Sequence, residues 1–102
     1  MADDDLQLAR AASEAALATD GVYALATGRF VEIATYGAGE KVTGVVVGPD
    51  EVRVHIVVRW PLPEPIPTLA ERVREKVASL GAAGRPTTVV VEDVEVVRDE
   101  NL

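Results

Sequence analysis

The chain contains no cysteine, and its 102 residues include only four aromatic side chains, Tyr23, Phe30, Tyr36 and Trp60. Without cysteine there can be no disulfides, thiolate nucleophiles or cysteine-ligated metals. With few aromatics, the core must be filled by valine, alanine and leucine. No apolar run approaches the length of a membrane-spanning helix. The opening Met-Ala-Asp-Asp-Asp is acidic where a secretory signal carries a basic segment and an apolar stretch. The expected location is the cytoplasm.

Hydrophobic content is high, at 48%, and describes a folded chain, not a disordered one. The length suits one domain over 1–102, with a core of about residues 6–97 between short acidic ends. The net charge of −7 is uneven. Asp3, Asp4, Asp5, Glu14 and Asp20 face only Arg10 in the first twenty residues, and Glu92, Asp93, Glu95, Asp99 and Glu100 face only Arg98 at the other end. The middle is close to neutral, so a local basic patch is compatible with the total. The overall acidity argues against a dedicated nucleic-acid binder, whose affinity depends on neutralising phosphates.

The clearest local signal is Val52-Arg53-Val54-His55-Ile56-Val57-Val58-Arg59-Trp60. Val52, Val54, Ile56, Val58 and Trp60 share one face of a strand, and Arg53, His55 and Arg59 project from the other, which predicts a half-buried strand. Before it, residues 3–19 read as a helix whose aspartates suit the positive end of the dipole. Its buried stripe is expected at Leu6, Ala9, Ser13, Ala16 and Leu17, with Gly21 as a left-handed stop. Val22–Ala26 reads as a short strand or extended lead-in, and Phe30–Tyr36 alternates with Val31 and Ile33 on one face. Turns at Gly37–Glu40 and Gly48–Glu51 bracket a strand at 41–47, the second turn closing a hairpin onto 52–60.

Prolines 61, 63, 65 and 67 lack the three-residue spacing of a polyproline ligand and read as a stiff spacer. Thr68-Leu69-Ala70-Glu71 matches a capping box opening a second helix, whose stripe is Leu69, Val73, Val77 and Leu80. In the last strand, Thr87–Val97, the apolar parity changes between Val89/Val91 and Val94/Val96, which a bulge at Glu92-Asp93 reconciles. The strand, helix and strand from 52 to 97 have the length of a parallel βαβ unit. The predicted fold is α+β, in the order α-β-β-β-α-β, with a small mixed sheet carrying both helices on one face and its other face open.

Catalytic chemistry finds little support. His55 is the only histidine and reads as a solvated strand residue among cations. Ser13 and Ser79 lie on predicted helices, away from any nucleophile elbow, and Glu92, Asp93 and Glu95 lack the loop of a calcium site. The expectation is a non-enzyme without cofactor or metal. Gly81-Ala82-Ala83-Gly84 matches the GxxG loop that clamps a nucleic-acid backbone, and Arg85 adds local positive charge. Nucleic-acid binding through this loop and the basic strand face is therefore the alternative function. The residues favour protein interaction: Arg53, His55, Val57 and Arg59 form a basic strip with apolar surface at its centre, fit for docking another protein or a second copy. The competing reading of that strip is ordinary cross-strand pairing on a solvated face.

The ordered set of segments resembles the alkaline shock protein family of bacterial envelope-stress proteins. The matching segments are an alanine-rich helix running into Asp20-Gly21-Val22-Tyr23-Ala24-Leu25, then Gly44–Val47, Val52–Trp60, Ile66–Val77 and Val89–Val94. The resemblance implies a cytoplasmic, non-catalytic protein of envelope homeostasis that acts as an interaction or scaffold module. It further implies assemblies in some cases and attachment to the membrane through an anchored protein partner, not direct insertion. It assigns no catalytic residues.

Overall fold

A computed structural model describes residues 2–81 and 84–98 of the chain. The elements are α1 (Ala2–Leu17), β1 (Val22–Leu25), β2 (Ala34–Gly37), β3 (Glu40–Thr43), β4 (Val45–Val47), β5 (Val52–Trp60), α2 (Ile66–Ala78) and β6 (Thr87–Val96). The fold is α+β. Strands β1, β4, β5 and β6 form a mixed four-stranded sheet, and β2 and β3 form a separate hairpin. Read without that hairpin, the order is the predicted α-β-β-β-α-β.

The long alternating strand β5 lies at the centre because only it has partners on both sides. Antiparallel β1 and β4 lie end to end along one edge, with Val22 opposite Val58 and Val45 opposite Val54. Parallel β6 lies along the other edge, reached through α2. The register of β6 steps between Ile56, opposite Val91, and Val57, opposite Asp93, leaving Glu92 as the extra residue. This is the bulge inferred from the parity change, and it places Val89, Val91, Val94 and Val96 on one face.

That face carries the core. Val52, Val54, Ile56 and Val58 are fully buried and cluster with Val45, with Ala9, Ala12 and Ala16 of α1, and with Leu69, Val73 and Val77 of α2. Both helices therefore cover the same side of the sheet. The alanines let α1 approach closely, and Gly21 lets the chain leave it. At φ +99° Gly21 takes the left-handed stop predicted for it, and a Cβ there would lie 2.3 Å from Leu69 Cδ1.

Several local expectations are corrected. The α1 stripe runs through Leu6, Ala9, Ala12 and Ala16, with Ser13 beside it and Leu17 exposed. Residues 30–33 do not join a strand: β2 starts only at Ala34, and Phe30 and Val31 are exposed. The predicted strand at 41–47 is split into β3 and β4 by Gly44, which adopts φ +87° with the Leu25 side chain 2.4 Å from where a Cβ would stand. The hairpin of β2 and β3 thereby swings onto α1, where Gly37 faces Leu6 and Arg10 pairs with Glu40 at 2.9 Å.

Helix α2 begins two residues before the expected capping box. Pro65 is its N-cap, Pro67 sits in its first turn, and no side chain caps it. Proline needs no hydrogen-bond partner and has its φ preset, so it opens the helix at a position where a backbone donor would be orphaned. Thr68 is consequently inside the first turn, and Glu71 pairs with Arg74 instead of reaching back. Leu80, expected in the buried stripe, lies beyond the helix end and is exposed.

Candidate interaction surface

The outward-facing side chains of β5 are Arg53, His55, Val57 and Arg59. Arg53 and Arg59 are exposed and Val57 is half-buried, whereas His55 is only 7% exposed. The solvated histidine of the sequence reading is thus a buried one, and the reason is the bulge. Glu92, the residue inserted into β6, turns its carboxylate toward His55 and accepts a hydrogen bond from Nδ1 at 2.8 Å. The His55 backbone is held as firmly: its N–H donates to Gly44 O at 2.8 Å, and its carbonyl accepts from Ala26 N at 2.8 Å.

The basic strip is therefore divided, and each basic side chain has an acidic neighbour in its own chain. Arg53 lies 3.7 Å from Glu51, His55 is paired with Glu92, and Arg59 stands opposite Glu95 in the parallel register. Glu92 and Glu95, complementary to the strip in principle on a second copy, meet it within one molecule. This is the arrangement expected of cross-strand pairing on a sheet face. Between the bulge and the chain leaving β1 lies an open hollow of about 320 Å³, with Val57 on its floor and Arg29, Glu92 and Asp93 on its walls.

Two features had no expression in the sequence reading. The first is the loop of residues 27–33, closed by Ile33 N–H donating to Thr27 O at 3.0 Å. At its tip Phe30 is 94% and Val31 80% exposed. The second is the far end of the sheet. Val58 is fully buried, but Trp60, next on the same face, is 51% exposed. Its neighbour across the register, Val96, is 60% exposed. Val94 and Val97 add to this apolar end, which the helices do not cover. A signal existed for the second feature: Trp60 and Val96 each lie at the end of their apolar run.

Elsewhere, several charged groups pair with one another, among them Arg72 with Glu64 at 2.6 Å. Just before the β2–β3 hairpin, Glu32 accepts hydrogen bonds from Lys41 and from the Tyr36 hydroxyl. The Lys41 ammonium, with Tyr36 second, holds the Glu32 carboxyl below its usual range, and Glu32 in turn raises the pKa of both partners. Of the glycine loop, Gly81 and Gly84 have positive φ, and the two alanines between them lie outside the described residues. Arg85 donates to Gly48 O at 3.0 Å and lies 3.7 Å from Asp5, so it ties the loop to the body of the fold. Among the described residues no group of three His, Asp or Glu is placed to hold a metal ion, and no helix is long and apolar enough to cross a membrane. No protein-family model, curated protein or solved structure matches the chain.

Proposed function

We propose that this chain is a non-catalytic protein-interaction module of the alkaline-shock type, serving envelope homeostasis from the cytoplasm and reaching the membrane through an anchored partner. One observation carries the reading: Trp60, Val94 and Val96 form a continuous apolar end of the sheet, left open by the helices that bury the rest of the same face. Contiguous apolar surface of this kind marks interaction sites, and an exposed tryptophan is among the side chains that most often anchor them. The charges point the same way, since acidic groups border this end at Asp93 and Glu95, an arrangement unfavourable to phosphate binding.

The test is a pull-down from cell-envelope extract at moderate salt, comparing the wild-type chain with a Trp60→Ala/Val96→Ala variant. Retention of a membrane protein by the wild type and its loss from the variant is the expected result. Salt-sensitive capture of RNA or DNA, abolished by reversing Arg53, Arg59 and Arg85, would replace this reading with a nucleic-acid-binding one. The purified chain alone should stay in the supernatant with anionic liposomes, because neither helix offers the broad apolar face with basic flanks that interfacial binding requires.

A further inference from the structure

Resting on the interaction reading above, we infer that the partner is bound as an added strand: an extended segment in which apolar residues alternate with lysine or arginine pairs along the free edge of β6. Among the described residues β6 is hydrogen-bonded to β5 only, so its other edge is open over Thr87–Val96. Pro86 O accepts from Val52 N, and Val97 N donates to Trp60 O. Backbone groups alternate in direction along a strand, and the bulge shifts that alternation by one. The outward-facing groups are then those of Thr87, Val89 and Val91 before the bulge and of Val94 and Val96 after it. Unpaired edge groups of this kind are a template for a further strand.

The two faces beside this edge specify the guest. On the helix side, an incoming strand meets Val94 and Val96, both exposed, with Trp60 one strand further in. On the opposite side it meets Asp93 and Glu95, also exposed. A strand of period two that is apolar on one face and basic on the other satisfies both at once. Asp93 already shields the edge, since its Oδ1 accepts from Val94 N at 2.7 Å. A basic guest residue gives that carboxylate a new partner and releases the Val94 N–H to the guest backbone.

A second copy of this chain fits less well. Antiparallel self-pairing across Val94 and Val96 would bring Glu92, Asp93 and Glu95 of both copies together, and like charges directly opposite are destabilising. Self-pairing centred on the uncharged Thr87–Val91 would leave Val94 and Val96 uncovered.

The probe is a capped peptide of alternating valine and lysine, with three controls: valine and lysine in separate blocks, alternating valine and glutamate, and the first peptide N-methylated at every second residue. Affinity is read by fluorescence anisotropy, and amide hydrogen exchange by NMR. The alternating lysine peptide should bind and slow exchange at Val94 and Val96, and all three controls should bind more weakly. Asp93→Lys/Glu95→Lys should weaken it roughly tenfold at low salt. Absence of binding at millimolar concentration, binding without slowed exchange at those amides, or equal binding of the N-methylated peptide would overturn strand addition. Concentration-dependent protection of the same amides without peptide would overturn it in favour of a second copy. If the envelope pull-down still depends on Trp60 and Val96 when the peptide fails, the interaction reading stands and only the strand-addition inference falls.

Discussion

Strands β5 and β6 both set valines on the core face of the sheet, and those valines have different fates. Val52, Val54 and Val58 of β5 are completely buried, whereas Val94 and Val96 of β6 are exposed on the same face of the same sheet. Residue type does not separate them. Position does: β5 has a neighbour on each side and helices above it, while β6 is an edge strand whose second half runs beyond that cover. The sheet thus divides into a covered part that supplies stability and an uncovered end that supplies surface, with the Glu92 bulge near the boundary.

The sharpest way to test this division is to remove equal chemistry from each part. Ile56→Ala, in the covered part, deletes a fully buried side chain and should cost about 2–5 kcal/mol, the range for large-to-small core substitutions. The measurement is the urea unfolding midpoint at unchanged slope. A loss below that range would mean that the helices pack loosely over β5 and that the contrast with β6 is weaker than burial implies.

How much of this was legible in the sequence follows from what each signal reports. The alternation in 52–60 reports which face of a strand is apolar, and that face is the core face. The parity change at Glu92-Asp93 reports a bulge because a strand has period two with no tolerance for an odd residue. Alternation does not report whether a polar-face residue remains in solvent. His55 is buried by a carboxylate 37 positions away in sequence, a contact created by the bulge itself. Nor does it report where helical cover stops, so it marks the face of Trp60 but not its exposure. The break in the strand at 41–47 is hidden for a different reason, since Gly44 looks like any strand glycine until its left-handed φ is known. Nor does alternation report which acidic groups stand beside the basic strip; for Arg53 and His55 they are Glu51 and Glu92.

The next test addresses the boundary. His55 and Glu92 link the two strands at the bulge, and a double-mutant cycle with His55→Ala and Glu92→Ala should give a coupling of about 0.5–3 kcal/mol. A coupling near zero would mean that the bulge is held by backbone pairing alone. Smaller still is the effect expected at the uncovered end. Val96→Ala should change stability by less than about 0.5 kcal/mol, as for surface substitutions generally, because the side chain is already largely in water. A loss comparable with that of Ile56→Ala would show that this end is covered in solution and would remove the distinction between the two strands.

The smallest effect is expected where sequence and structure disagree most directly. A capping threonine contributes about 0.5–2 kcal/mol when compared with alanine, and the Thr68–Glu71 spacing predicts that loss for Thr68→Ala. In the structure Pro65 opens α2, no side chain caps it, and Thr68 is an exposed residue of the first turn. Its hydroxyl then contributes no cap, while alanine has the higher helix propensity by up to about 0.7 kcal/mol. Thr68→Ala should accordingly leave the unfolding free energy unchanged or raise it slightly. A loss above about 1 kcal/mol would place the helix start at the capping box after all. Prolines 65 and 67 would then belong to the spacer, and α2 would cover less of the sheet than its two extra residues now allow.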